Sequence, residues 1–329
     1  MCIRDRSNNR TGITQGLQGL YGEGTAIGTT NWTAANIPLY PGTNILTVRA
    51  FDALGGIGAA TLTITVNELQ YSLAEGATGT FFETDILLAN PNNFSVPIEA
   101  TYLKEDGTTV RQALTLPATT RITIPVATLP GLDSASMSTF VTSTNAVPIV
   151  VERTMRWDRT GYGAHTETAS TEPALTWYFA EGSQGFFFTF LLLANPLNQD
   201  NEATVRFLLE GGGQVITRSY ELAPTSRMTI LVDAIPGLES AAVSTKVRST
   251  LALPIVVERT MWWAGDTRYG AHTEKASGGA ADKWYFAEGS QGFFFTYLLL
   301  ANPQSAANQV TVNYPVSYTH LTLPTIYSV

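Results

Sequence analysis

The amino-acid sequence predicts an all-β protein built from tandem β-sandwich domains. Segments such as "NILTVRAF" and "ATLTITV" alternate apolar and polar residues with a period of two, which is the pattern of half-buried strands. Clusters of Gly, Pro and Asn, such as "DALGGIG" and "PGTN", separate these segments and predict turns. A repeat of about 106 residues covers most of the chain, and this length fits one sandwich domain.

Composition excludes some classes of partner. The chain has 329 residues, of which 14% are charged, and its formal net charge is -8 at pH 7. An acidic chain repels phosphate backbones, and the arginines are scattered, so we expect no nucleic acid partner. No apolar run reaches the length that a membrane-spanning helix requires, so we expect no membrane segment within this sequence.

Both termini resemble translated sequencing-adapter DNA. "MCIRDR" at Met1–Arg6 follows the codons of a transposase end sequence, and "VSYTHLTLPT" at Val316–Thr325 follows those of its reverse complement and the adjoining adapter. We therefore predict that residues 1–6 and 315–329 are adapter-derived and take no stable part in the fold. On this interpretation Cys2, the only cysteine, is not native, and the open reading frame is cut at both ends.

Residues 7–67 resemble the C-terminal part of a bacterial immunoglobulin-like domain. The resemblance rests on Trp32, the turn Pro38–Asn44, the strand Val48–Asp52 and the closing strand Ala60–Val66. The first strands of such a domain are missing from the sequence, so we expect a partial domain in this segment.

Three copies of one repeat follow, at residues 71–170, 177–277 and 284–314. All three share "LLANP", the first two share "PIVVERTM" and "YGAHTE", and the third contains only about the first quarter of the repeat. Within one repeat the pattern predicts about seven strands. These motifs resemble an uncharacterised family of bacterial β-sandwich repeats from large secreted and surface proteins, which implies no enzymatic activity. The expected fold class is all-β, with tandem immunoglobulin-like β-sandwich domains.

The stretch "WYFAEGSQGFFFT" occurs at Trp177–Thr189 and again at Trp284–Thr296. It places Glu181 in a glycine-rich turn before an aromatic strand. Glu181 could act as a general acid if a hydrophobic environment raised its pKa, but that chemistry requires a second carboxylate or a histidine nearby. A structural role is favoured, because arrays repeat scaffold elements by construction. Glu181 would then accept hydrogen bonds from turn amides or pair with an arginine.

Adjacent charges in "VVERTM" predict a structural ion pair. Glu258 and Arg259 are neighbours in one strand, so their side chains point to opposite faces and do not pair with each other. One of them is expected inside the sandwich with a partner on another strand, because an unpaired buried charge is costly. Arg121 and Arg227, which follow predicted turns, are candidate partners; a catalytic pair is the less favoured alternative.

Aromatic residues near the end of the second copy are the best candidates for ligand binding. If Trp262, Trp263 and Tyr269 lie on the surface, they would stack on the apolar faces of a glycan, with His272 beside them. If they cover the end of the sandwich, they belong to the core, and this interpretation is favoured. One histidine per repeat cannot form a dense metal cluster, so we expect no metal site and no cofactor.

The predicted function is a non-catalytic spacer, display or adhesion region of a bacterial surface or secreted protein. The alternative is a carbohydrate-binding accessory region of a secreted glycoside hydrolase, and a third, weaker hypothesis is an enzyme with its catalytic residues in the repeats. The expected partners are surface polysaccharide or another cell-surface protein. The expected location is extracellular or at the cell surface.

Overall fold

The computed structural model is almost entirely β-structure. The chain divides into two units, residues 1–173 and 174–329, and each contains a β-sandwich. The prediction of an all-β sandwich fold is confirmed. No helix in the described part of the chain is long and apolar enough to cross a membrane. The structure describes residues 2–8, 27–28, 32–33, 42–51, 54, 56–66, 68–157, 163–264, 269–293, 295–315 and 326–328.

A three-stranded antiparallel sheet lies at the N-terminal end of unit 1. The first five strands are β1 Cys2–Asn8, β2 Ile27–Gly28, β3 Trp32–Thr33, β4 Gly42–Phe51 and β5 Ile57–Val66. The sheet has the order β1-β4-β5, while β2 and β3 pair with each other. Most of the predicted partial domain at 7–67 lies outside the described residues.

Residues 2–6, which the sequence predicts to be adapter-derived, pair within this sheet, and their lack of a stable role in the fold stays a prediction. They form most of β1 and pair with β4, with a register shift between Ile3 and Asp5. The physical reason is that a strand edge presents backbone N–H and C=O groups to any extended segment, whatever the origin of its sequence. Met1 lies outside the described residues.

Eight strands form the sandwich of unit 1. They are β6 Leu69–Leu73, β7 Phe82–Asn90, β8 Val96–Lys104, β9 Thr109–Leu116, β10 Thr120–Pro125, β11 Met137–Ser143, β12 Val150–Trp157 and β13 Gly163–Thr168. One antiparallel sheet has the order β6-β11-β8-β9 and the other has the order β10-β7-β12-β13. A short 3-10 turn at Val126–Thr128 follows β10.

The core of this sandwich comes from alternate residues of both sheets. In β7 every second residue from Thr84 to Asn90 is buried. Ile86 and Leu88 of this strand pack into one apolar cluster with Leu73 of β6, which belongs to the other sheet. Full burial of such a side chain contributes about 1.5–3 kcal/mol, so the period-two pattern supplies the main stabilisation.

The sandwich of unit 2 has the same strand order as the sandwich of unit 1. Its strands are β14 Thr176–Phe179, β15 Phe188–Asn195, β16 Asn201–Leu209, β17 Val215–Leu222, β18 Ser226–Leu231, β19 Val243–Ser249, β20 Val256–Ala264 and β21 Tyr269–Lys275. The two sheets have the orders β14-β19-β16-β17 and β18-β15-β20-β21, and a 3-10 turn at Val232–Ala234 follows β18. The first two strands therefore lie in opposite sheets.

Each described sandwich has one strand more than the seven that the sequence pattern predicts. The additional strands are β13 and β21, which pair with a single neighbour at the sheet edge. Their sequences, such as "YGAHTEK", lack the apolar alternation of a half-buried strand. The turn at Gly211–Gly213 joins β16 to β17, and all three glycines have positive φ, a region that other residues enter at a cost.

The third copy of the repeat, residues 284–314, is exposed along most of its described length. Trp284 is 58% exposed and Phe286 is 71% exposed, whereas the corresponding Trp177 and Phe179 of the second copy are buried. Nearly the same sequence thus forms two buried strands in unit 2 and none at residues 284–293 and 295–303.

Part of residues 315–329, which the sequence predicts to be adapter-derived, also pairs with the chain. The third copy contains one short strand, β22 Gln309–Thr311, which is antiparallel to β23 Ile326–Ser328. Residues 316–325 and 329 of the predicted adapter-derived segment lie outside the described residues.

One core position differs between the two units. Tyr102 in β8 is fully buried, and its hydroxyl has no hydrogen-bond partner among the described residues. Phe207 in β16 takes the same place, since Tyr102 lies opposite Thr139 and Phe207 lies opposite Thr245. Burial raises the pKa of Tyr102 above its usual value, because a phenolate would lose its hydration in the core.

We expect Tyr102→Phe to stabilise unit 1 by up to about 1–3 kcal/mol, because it removes an unsatisfied buried hydroxyl. When the pH rises above 10.0, the usual pKa of a tyrosine, the difference in unfolding free energy between the wild type and Tyr102→Phe grows. There the unfolded chain loses the Tyr102 proton while the folded chain keeps it, so wild-type stability falls as pH rises. Urea unfolding at neutral and alkaline pH measures both effects. Phe207→Tyr is the matched variant, and a gain in stability of unit 2 on that substitution would contradict the argument.

Candidate functional site

A buried arginine organises the end of the sandwich in unit 2. Arg259 follows Val257 on the inward face of β20 and is only 2% exposed. Its Nη1 donates a hydrogen bond to the backbone carbonyl of Glu181 at 2.5 Å, and its guanidinium lies 5.3 Å from the centre of the Phe179 ring. Its Nη2 donates to Oε2 of Glu274 at 2.8 Å and lies 3.5 Å from Oε2 of Glu181.

The carboxylates of Glu181 and Glu274 balance the charge of Arg259 from the solvent-exposed side. Burial lowers the pKa of Arg259 below its usual value, and the charges of Glu274 and Glu181 oppose this shift. The side chains of Glu181 and Glu274 are 40% and 52% exposed, so water screens both ion pairs. The contact with the backbone carbonyl is the one that solvent cannot replace inside the sandwich.

Unit 1 repeats the buried arginine and its contact with a backbone carbonyl. Arg153 is fully buried, its Nη1 donates to the backbone carbonyl of Glu75 at 2.9 Å, and its Nη2 lies 3.3 Å from Nε2 of His165. The carboxylate of Glu75 is buried and accepts a hydrogen bond from the amide of Gly76 at 2.8 Å. The arginine–carbonyl contact is therefore common to both units, whereas the exposure of the glutamate differs: Glu75 is buried, and the side chain of Glu181 is 40% exposed.

Glu258 and Arg259 lie on opposite faces of β20, as neighbouring residues of a strand must. Glu258 is nevertheless 1% exposed, on the outward face of the sheet. The register of β18 and β15 places Arg227, also buried, on that same outward face. The predicted partner Arg227 thus shares a face with Glu258, while Arg259 pairs with Glu181 and Glu274.

Trp262 and Trp263 also point to opposite faces and do not form one cluster. Trp262 stacks on Phe188 at the outward face, with ring centroids 4.8 Å apart and an interplanar angle of 20°. Trp263 meets the edge of the Phe187 ring at 5.6 Å on the other face. There it covers Gly270, where an added Cβ would lie 2.7 Å from the indole, which explains the glycine of the "YGAH" motif.

The remaining two glycan candidates lie on β21. His272 is opposite Met261, so it lies on the face away from Trp262, and its side chain is exposed. The backbone of Tyr269 belongs to β21, and its side chain lies outside the described residues. The four residues predicted for a glycan site are therefore divided between two faces. No group of three or more His, Cys, Asp or Glu in the described ranges is placed to hold a metal ion.

Sequence reasoning missed the partner of Trp262 and its counterpart in unit 1. Trp262 lies opposite Phe188 in β15, and at the same two positions unit 1 has Arg156 opposite Glu83. Arg156 forms ion pairs with Glu83 at 3.2 Å and with Asp85 at 2.8 Å. Comparing the copies at cross-strand positions would have revealed this charged set, because cross-strand neighbours contact each other.

Comparison with known proteins adds little to this geometry. No protein family and no curated protein matches the chain. Among solved structures, Thermotoga maritima 1070 is 18% identical over 32% of this chain and 95% of that chain, with a TM-score of 0.30. An alpha-L-rhamnosidase of Streptomyces avermitilis, complexed with L-rhamnose, is 10% identical over 84% of this chain and 37% of that chain, with a TM-score of 0.15. At these TM-scores neither likeness carries an argument about fold or function.

We expect Arg259→Met to destabilise unit 2 by about 1–3 kcal/mol, because the carbonyl of Glu181 loses its buried donor. Glu274→Gln is expected to cost less than about 1 kcal/mol, since that carboxylate is half exposed. Urea unfolding measures both variants, and Arg153→Met is the matched change in unit 1. A larger loss for Glu274→Gln than for Arg259→Met would show that the ion pair, not the carbonyl contact, holds the turn.

Proposed function

We propose that this chain is a non-catalytic spacer, display or adhesion region of a bacterial surface or secreted protein. One observation carries the proposal: in both units a buried arginine holds the backbone carbonyl of the repeated glutamate. The carboxylate of Glu75 is buried against its own turn, whereas that of Glu181 is half exposed. A catalytic carboxylate would need one environment in every copy, so the shared feature is structural.

The antiparallel sandwiches suit a mechanical role. In each sandwich the first strand pairs along its length with the sixth, and the second strand pairs with the seventh. Pulling on the ends of a unit must break these ladders before the core opens. A chain of such units resists extension and keeps attached segments apart, which is what a spacer or display region has to do.

We expect single-molecule pulling on the whole chain to give one force peak for each sandwich. Each unfolding event should lengthen the chain by roughly 35 nm, because about 100 residues extend by up to about 3.6 Å each. Atomic force microscopy of the chain attached at both ends measures this. Smooth extension without peaks would contradict a mechanical role, even if both units are folded.

A second candidate function, glycan binding, is favoured by the outward face of unit 2. The stacked Phe188 and Trp262 are both partly exposed there, and the nearby Phe186 is 58% exposed. Exposed aromatic rings of this kind can stack on the C–H faces of sugars. Unit 1 has Glu83 and Arg156 at the positions of the stacked pair, so such binding would be confined to unit 2.

We expect Trp262→Ala to abolish any retention of the chain on a polysaccharide array, while Arg156→Ala, the matched change in unit 1, leaves it intact. Circular dichroism serves as the folding control for both variants. Tryptophan fluorescence of the wild type in the presence of a retained glycan provides an independent measurement. Equal retention of both variants would show that the aromatic pair is not the glycan-binding site. If the wild type is not retained either, only the proposed spacer, display or adhesion function remains.

A further inference from the structure

The third copy of the repeat keeps the first local turn of the second copy. Residues 284–303 repeat residues 177–196 with a single difference, Tyr297 in place of Phe190. In the second copy the hydroxyl of Thr189 donates to the carbonyl of Ser183 at 2.8 Å. In the third copy the hydroxyl of Thr296 donates to the carbonyl of Ser290 at 2.6 Å. The glycine-rich turn is thus formed without the sheets.

The second local turn is kept as well. In the second copy Nδ2 of Asn195 donates to the carbonyl of Gln199 at 2.8 Å, and in the third copy Nδ2 of Asn302 donates to the carbonyl of Ala306 at 2.8 Å. Between the two turns lies a strand sequence whose leucines are half exposed; Leu300, for example, is 41% exposed. The segment therefore keeps the two turns that flank β15, but residues 295–302 between them form no strand and lack the neighbours of β15.

The end of unit 2's last sandwich strand, β21, leads the chain directly past β14, the position that the start of the third copy would occupy. Ser277, which follows β21, exchanges two backbone hydrogen bonds with Tyr178 of β14, at 2.9 and 3.0 Å. Tyr285 is the third-copy residue that corresponds to Tyr178. A loop of residues 278–284 would bring Tyr285 opposite Ser277, and paired strands are only about 4.8 Å apart, so a seven-residue loop is long enough.

We propose that residues 284–303 exchange with residues 177–196 for the position of β14 and β15 in unit 2. Each copy can make the same contacts with β18, β19 and β20, and each leaves the other copy exposed. The exchange is therefore close to neutral in free energy, apart from loop closure and the change of Phe190 to Tyr297. Because β15 is an interior strand of its sheet, the exchange requires unit 2 to open. After it, residues 174–200 form a longer exposed connection to β16.

A charge placed in one copy tests the exchange. Leu193 is fully buried in the core of unit 2, so Leu193→Asp prevents the second copy from occupying its place. The third copy still has a leucine, Leu300, at the corresponding position. We expect the Leu193→Asp chain to keep the cooperative thermal transition of unit 2 near the wild-type midpoint. Leu300→Asp alone is expected to change nothing, and the double variant is expected to lose the unit 2 transition.

Hydrogen exchange shows which copy occupies the sheet. In the Leu193→Asp chain, backbone amides of residues 298–301 are expected to become protected and those of residues 191–194 to lose protection. Leu88→Asp, the corresponding change in the core of unit 1, is the control for how disruptive the substitution is. Loss of the unit 2 transition in Leu193→Asp alone overturns the proposal. Rescue seen only in dimers by light scattering also overturns it, because the replacing strand then comes from another chain.

Discussion

A charged guanidinium inside each sandwich is the constraint on which the rest of the fold depends. Arg153 and Arg259 each lie 78 residues after the glutamate whose carbonyl they hold. That glutamate follows the first strand of one sheet, and the arginine belongs to the other sheet, so the contact joins the two layers. The turn must approach closely: a Cβ at Gly76 would lie 2.9 Å from the carbonyl oxygen of Met137. The glycine of the "AEG" motif permits this close approach. The approach brings the carbonyl of the glutamate to the arginine, whose buried charge would be costly without this acceptor.

With the interior held in this way, the outward faces of the two units have diverged. In unit 1, Arg156 pairs with the exposed Glu83 and with Asp85, whose side chain is only 13% exposed. The pair with Glu83 is screened by water and contributes little to stability. Unit 2 has a stacked pair, Phe188 and Trp262, at the positions of Glu83 and Arg156. Cross-strand neighbours contact each other, so a change of charge or shape in one member alters the surroundings of the other. Any ligand specificity that distinguishes the units is consequently expected on this face.

Strand periodicity was enough to predict the sandwich fold, and its limits can be traced to particular residues. Alternation correctly indicated that Glu258 and Arg259 face opposite ways, but both are charged, so the pattern could not show that Arg259 faces the core. It also implied that Trp262 and Trp263 are separated, which the hypothesis of a single aromatic cluster overlooked. The edge strand β21 escaped prediction because its alternate residues, including His272, are not apolar. Burial and pairing across strands are properties of the assembled sheets and are not encoded in any one strand.

The third copy shows which structures form from local sequence alone and which also require neighbouring strands. Its two turns form with nearly the hydrogen-bond lengths of the second copy, because glycine and side-chain-to-backbone bonds act over a few residues. Its strand sequence does not form the strands, because a strand needs neighbours for its backbone groups and a second sheet for its apolar face. The same leucines are buried at residues 191–193 and half exposed at residues 298–300. The turns therefore prepare each copy for assembly, and the buried Arg259 holds the glutamate carbonyl of the copy that occupies the sandwich, here that of Glu181.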